Sequence, residues 1–361
     1  MKRAISPTVV DVKNQIDFLT EVLNAATSKD IEAILAKLKV CDVGDYEFNV
    51  EEPDTGWRDG LFHWIPVGRD RGNAGRVKLA NRPINPAVER TINAMEALIE
   101  LSRRVEVLKD PNAPAPQSPR EAVARYFKLP PLDQLPDLTT YISGLPARRY
   151  ARELARKILL ELRWDKKLRE FAMIIRDAGI GQVPSRIHKT LLSLGSSDKG
   201  DKPYLIGVFG QGGSSAYAAS QYSTIVSRRA PDLLDGHDDG IGWTIVKHIF
   251  PKGRRDDYFA YLAAHPDGRV PTLPVEIADA VKFEHGSRFA HINYDFGSGG
   301  AAITRNFYQL LNHALFNPVL PFDTDVSGTV ATVYGNGYRL SNLESDKVAI
   351  NKTFTQLAIE K

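Results

Sequence analysis

The chain has 361 residues, 43% of them hydrophobic and 25% charged, with a formal net charge of +3. This composition is sufficient for one large domain or two ordinary ones, excludes bulk disorder, and leaves too little excess charge to imply a nucleic-acid or membrane surface by itself. The one cysteine, Cys41, excludes an intrachain disulfide and a cysteine metal cluster.

The N-terminal stretch MKRAISPTVVDVKNQ lacks the apolar core of a signal peptide. No run approaches the ~18 apolar residues of a spanning helix. A soluble cytoplasmic protein with no membrane partner is therefore expected. Residues 8–40 predict two amphipathic helices, with Val10, Ile16, Leu19 and Leu23 near helical spacing and Ser28 as N-cap of the second. LFHWIPV and GRVKLA predict short strands joined by a loop. NPAVERTINAMEALIELSRRVEVL predicts a long helix with Pro86 in its first turn. KDPNAPAPQSP (109–119) must be a loop, and residues 120–165 read as helical pieces, notably ARRYARELARKILLELRW. EFAMIIRDAGIG predicts a buried strand that enters a tight turn. After it come a glycine turn, a small-residue helix start and a strand in YLIGVFGQGGSSAYAASQYSTIVSRR. Strands are also expected near 269–283 and over 287–296, then a helix in ITRNFYQLLNHAL. The stretch TVATVYGNGYRLSNL reads as a hairpin turning at Asn336-Gly337.

Three of these elements carry chemistry. On the long helix, Glu89, Asn93 and Glu96 lie at i, i+4 and i+7 and share a face, beside an apolar stripe of Val88, Ile92, Met95 and Ile99. Asp177 ends an apolar strand, where its acceptor-only carboxylate can receive an exocyclic amine such as that of adenine, and Gly179 and Gly181 let a flat base lie against backbone. Gly207, Gly210, Gly212 and Gly213 precede a helix start, a place where backbone N–H groups attract phosphate. Taken singly, these also fit a solvated helix face, a strand-ending turn and a flexible loop. GSSDKGDK (195–202) has Asp201 where a P-loop needs lysine, so a P-loop is excluded. DGHDD (235–239) reads as a polar loop rather than a metal site.

In chain order, E-x-x-x-N-A-x-E-A (89–97), D-A-G-I-G (177–181) and G-V-F-G-Q-G-G (207–213) resemble the motifs of the GHKL ATPase superfamily of gyrase B, heat-shock chaperone, histidine kinase and MutL. KTLLSLGSSDKGDKPYLIGVFGQGG is most similar to the ATP lid of the MORC, MutL and chaperone branch. The resemblance implies an α/β protein of the two-layer α+β sandwich kind. This is a Bergerat-type ATP-binding fold, a mixed sheet covered by helices, with an N-terminal helical extension. It implies an extension or dimerisation arm over 1–79 and an ATP-binding domain over 80–310. Within that domain it implies an insertion at about 106–165 and a lid at about 182–212, and a hairpin or tail follows over 311–361.

The resemblance also implies roles. Glu89 would be the general base and Asn93 the Mg²⁺ ligand. Asp177 would read adenine, flanked by Gly179 and Gly181. Gly207, Gly210, Gly212 and Gly213 would hold phosphates, with Lys199 reaching one from the lid. Gly286-Ser287 stands where the family carries Gly-Thr, so Ser287 would support the adenine pocket. Glu96 replaces the usual aspartate, and Ala178 replaces a common asparagine. The implied activity is Mg²⁺-dependent ATP hydrolysis that drives lid closure and dimerisation, with a homodimer or partner subunit as the associate. Relatives of this kind act in DNA transactions or defence against foreign DNA, and a nucleic-acid partner is left open. The alternatives are a non-hydrolysing nucleotide-gated scaffold and a histidine-kinase-type phosphotransferase. The latter is disfavoured because His63, in a strand-like context, is the one histidine before Glu89.

Overall fold

The computed structural model describes residues 12–40, 61–77, 79–80, 82–135, 141–194, 201–206, 214–250, 257–264, 268–297 and 300–342. Its helices are α1 (Val12–Asn24), α2 (Ser28–Leu35), α3 (Asn85–Lys109), α4 (Pro119–Phe127), α5 (Ala147–Ala155), α6 (Ser215–Ala218), α7 (Gly300–Ala314) and α8 (Gly335–Asn342). The first strands are β1 (Lys39–Val40), β2 (Leu61–Pro66), β3 (Tyr141–Ile142), β4 (Leu145–Pro146), β5 (Ile158–Asp165) and β6 (Glu170–Asp177). The others are β7 (Ser220–Arg228), β8 (Ile241–Ile249), β9 (Tyr258–Ala264), β10 (Thr272–Leu273), β11 (Gly286–Tyr294), β12 (Phe322–Val326) and β13 (Thr329–Val333).

One mixed sheet organises the protein, in the order β1-β2-β9-β8-β7-β11-β6-β5-β12-β13, with β10 beside β8. β3 and β4 form a separate small hairpin. Parallel pairing is confined to β1–β2 and β5–β12. β5, β6, β11, β7 and β8 form a continuous antiparallel centre.

Strand alternation divides the core in two. Met173 and Ile175 of β6, with Phe289 of β11, join the core under α3. Their neighbours Ala172 and Ile174, with Ala290 and Ile292, join a second core that holds Leu19 and Val22 of α1 and Ile31 and Ile34 of α2. Helices therefore cover both faces, which adds a layer to the two expected. α2 begins at a capping box between Thr27 and Asp30. Ser28 fastens it to the start of β6, its backbone N–H and hydroxyl donating to Glu170 at 2.7 and 2.5 Å.

Several expectations are corrected. The segment expected to stay helical through Trp164 leaves the helix at Ala155 and becomes β5. Ile158, Leu160 and Leu162 alternate with outward residues there, a period of two that places them in the core. β5 pairs directly with β6 along its length, so the stretch expected as an insertion contributes a strand to the sheet. GRVKLA forms no strand in its described residues; Asn73–Gly75 is a short helical turn, and Asn73 reaches back to Phe259 of β9. Within 269–283 the only described strand is the two-residue β10. The late hairpin turns at Ser327-Gly328 between β12 and β13. Asn336-Gly337 lies instead in the first turn of α8, where Gly337 N–H donates to Phe316 O at 2.8 Å.

No helix of the described residues is long and apolar enough to cross a membrane.

Candidate functional site

Asp177 is the last residue of β6 and points to the α3 face, where it is 5% exposed. Its Oδ1 accepts the N–H of Gly179 at 2.9 Å, which closes a tight turn. Burial pushes its carboxyl up to about 7, against the opposing pull of the N–H groups of Gly179 and Ser287 and the charge of Arg176. Asp177 is thus poised to change charge near neutrality, a property concentrated at functional sites.

The turn after Asp177 has no spare room. A Cβ at Gly179 would stand 2.5 Å from the Cβ of Ala97 on α3. Ile180 N–H donates to Ala97 O at 3.0 Å, so backbone from the D-A-G-I-G turn is bonded to the helix that carries the first motif. Gly181 has φ +62, and a Cβ there would lie 1.8 Å from Arg228 O. Gly286 has φ +103 and brings its Cα against Asp177 O. No side chain fits these two positions.

Ser287 pairs with Asp177 across β11 and β6 and with Ser227 across β11 and β7. The hydroxyls of Ser227 and Ser287 are 2.9 Å apart, and Ser227 Oγ accepts Gln182 N–H at 3.0 Å. His285 Nδ1 donates to Gly179 O at 2.8 Å. These bonds hold the floor beneath Asp177.

α3 forms the wall. Its Arg90 is buried, lies 4.1 Å over the Phe289 ring and donates to His291 Nε2 at 3.2 Å. Burial, then the Arg90 charge, holds His291 well below its usual pKa, so it is a neutral acceptor. This contact pins α3 to β11 and so sets the direction of the helix's polar stripe. There Glu89 is exposed, Asn93 half-buried and Glu96 buried. Glu96 Oε1 accepts Ile206 N–H at 2.8 Å. One turn on, Glu100 accepts from Lys202 Nζ at 2.8 Å and Tyr204 OH at 3.0 Å. Residues 201–206 are therefore tied to α3 from both carboxylates.

The structure brings together Asp177, Gly179, Gly181 and Ser287 against Ala97 of α3, while the carboxylate of its chain neighbour Glu96 goes to Ile206; Asn93 lies one helical turn from Ala97. Glu89 lies a further turn away toward the N-terminus of α3. Lys199, Gly207, Gly210, Gly212 and Gly213 lie outside the described residues. The first part of the expected lid is packed: Ile187 and Leu192 are fully buried, and Leu192 O accepts Gly68 N–H at 2.8 Å. Sequence reasoning missed Glu100, Ser227, His285 and Arg90. Glu100 had a signal, since it continues the polar stripe four residues beyond Glu96. Ser227 and His285 meet Asp177's turn only through strand pairing, which no local pattern reveals.

DGHDD is an ion-pair hub. Asp235 accepts from Arg104 and Arg229, and Asp239 from Arg228, which holds Asp239 below the usual carboxylate range. Among the described residues no three histidine, cysteine or acidic side chains are grouped to hold a metal ion. A cavity of about 580 Å³ sits at the far end of α3, and one of about 220 Å³ lies under α1. Neither is lined by Asp177. No protein-family model and no curated protein matches the chain.

Proposed function

We propose that this protein binds and hydrolyses ATP at the face shared by Asp177 and α3, in a Bergerat-type arrangement. The observation that carries the reading is the contact of two motifs far apart in sequence. Gly179 of D-A-G-I-G touches Ala97, the last residue of E-x-x-x-N-A-x-E-A, while Asp177 stays buried with its carboxylate at the floor.

In this reading the ionised Asp177 carboxylate accepts the exocyclic amine of adenine, and Ser287 backs it. The backbone of Gly179 and Gly181 lies against the base. Gly207, Gly210, Gly212 and Gly213 offer N–H groups to the phosphates, with Lys199 as a further cation. Asn93 would hold Mg²⁺ through its amide oxygen. A single protein ligand suits an ion that takes its remaining oxygens from phosphates and water, and the donor set present is of that kind. Bound there, the ion would neutralise charge on the phosphates. Glu89 orients the attacking water and takes its proton as the bond to the γ-phosphorus forms and the bridging P–O bond breaks. Because Glu89 is exposed, enclosing that water falls to the lid. Glu96 and Glu100 tie the stretch 201–206 to α3, coupling the lid to the helix that carries the general base. A homodimer or partner subunit would read out the closed state.

The test compares Mg²⁺-ATP binding and phosphate release in the wild type, Glu89→Ala and Asp177→Asn. Glu89→Ala is expected to keep binding and lose about 10²–10⁴-fold in turnover. Asp177→Asn is expected to lose binding. Wild-type ATP affinity in folded Asp177→Asn sinks the proposal; binding without turnover in the wild type reduces it to a nucleotide-gated scaffold.

A further inference from the structure

On the opposite face of the sheet, beside its apolar core, β5, β6 and β11 bring basic side chains together. Arg163 of β5, Arg176 of β6 and Arg288 of β11 line the cavity of about 220 Å³ under α1, with Thr20 and Asn24 as polar groups on the helix side. Arg176 and Arg288 are directly paired across the β6–β11 ladder. Like charges in that position repel and need a compensating group. Among the described residues Glu161 is the one carboxylate lining the cavity, and Arg163 holds it, Nε to Oε2 at 3.0 Å. Three guanidiniums against one carboxylate leave an excess of two positive charges.

Arg288 is the decisive member. It is 4% exposed, its Nη1 reaches Thr224 Oγ1 only at 3.4 Å, and its Nη2 has no hydrogen-bond partner among the described residues. Burial pulls its pKa down to about 10, which leaves it charged at neutral pH. Arg176 donates Nη2 to the carbonyl of Lys282 at 2.8 Å, which leaves the rest of its fork for another acceptor. A buried guanidinium with an unused N–H is costly unless an anion meets it.

We propose that this cavity is a binding site for a phosphoryl group, separate from the face that carries Asp177. A tetrahedral dianion matches the excess of two charges and offers enough oxygens for planar forks arriving from three adjacent strands. A carboxylate, with one charge and two oxygens, would leave one arginine unanswered. A volume of about 220 Å³ admits a phosphate with part of the molecule bearing it.

The experiment titrates the full chain with inorganic phosphate and, separately, with glycerol 3-phosphate, against sodium chloride at matched ionic strength. Thermal melting and ³¹P line broadening are the readouts. Phosphate is expected to raise the melting temperature beyond chloride. Binding of both ligands marks a phosphomonoester site, and binding of the inorganic ion alone marks a free-phosphate site. Arg288→Met removes a buried charge and keeps the volume, a change that folded proteins tolerate. It is expected to weaken phosphate binding about tenfold to hundredfold and to leave Mg²⁺-ATP binding unchanged. Arg163→Gln, at a half-exposed position, is expected to weaken it less and guards against misfolding of the first variant. The proposal is overturned if chloride reproduces the phosphate effect, or if both variants keep wild-type phosphate affinity.

Discussion

The two faces of the central sheet use consecutive residues for opposite chemistry. Asp177 faces α3, and its chain neighbour Arg176 faces α1; Ser287 and Arg288 repeat the division on the paired strand. The α3 face is built by close backbone approach, with glycines where a side chain cannot stand and one carboxylate at the floor. On the α1 face, beside its apolar core, long charged side chains surround a cavity at this level of the ladder. A strand period of two lets one ladder carry an acceptor site and a donor site with no element between them. The turn after Asp177 is set by steric fit and the arginine cavity by electrostatics, so the two answer to different perturbations.

The steric face is sharpened most by Gly181→Ala. The φ of +62 costs an alanine about 1–2 kcal/mol. The 1.8 Å approach to Arg228 O forces the turn or β7 to move, which brings the expected loss to about 3 kcal/mol or more. Gly144→Ala is the control. Gly144 has φ +80 with nothing within 4 Å, so only the dihedral cost of about 1–2 kcal/mol is expected. Denaturant unfolding measures both. Equal losses would mean that the turn after Asp177 is no tighter than an open hairpin, and the steric description of this face fails.

The next effect is a pH dependence that belongs to the α3 face. Asp177 titrates near 7 in the folded chain against an ordinary value of 3.8. The folded state therefore holds a proton that the unfolded state has released between those values. The stability this contributes is complete below 3.8 and is lost as pH rises through about 7. The proposed nucleotide binding would run the other way, because an amine donor needs the ionised carboxylate. Affinity for Mg²⁺-ATP is expected to rise about tenfold per pH unit below 7 and to level off above it. Calorimetric titrations from pH 5.5 to 8.5 check this. A flat profile would remove Asp177 as the acceptor, whereas phosphate bound among arginines should vary only with its own second ionisation.

How far the sequence disclosed these faces follows from the range of the forces involved. Local patterns disclosed α3, β6, the D-A-G-I-G turn, β11 and α7, since caps, apolar periods and glycines act within a few residues. β5 was masked by the helix-forming run ahead of it; its core positions Ile158, Leu160 and Leu162 are a tertiary choice. β8 and β9 are buried on both faces and lack the alternation that marks a half-buried strand. Glu96 could be singled out from spacing, but its bond to Ile206 joins residues 110 positions apart. The arginine cluster was invisible for the same reason: Arg163, Arg176 and Arg288 are each unremarkable in the chain, and only the ladder makes them neighbours.

The smallest expected effect tests whether residues 201–206, the base of the proposed lid, are part of the steric face or merely rest on it. Glu100 and Lys202 are partly exposed, at 16% and 33% of their side chains, so water screens the pair. Glu100→Gln keeps the shape and a hydrogen bond to Tyr204 while removing the charge. Screened pairs of this kind contribute about 1 kcal/mol or less, so global stability should scarcely move. The local consequence is more telling. Burial, then Glu100, raises the Tyr204 phenol above its usual value, so it stays a donor in either variant. Ile206 N–H remains bonded to Glu96, one turn away. If 201–206 is a hinge tied at two points, loosening Glu100 should speed amide exchange at Ile206 several-fold and leave β6 and β11 unchanged. If exchange at Ile206 does not change, Glu96 alone holds the segment, and the proposed lid would couple to α3 through that one bond.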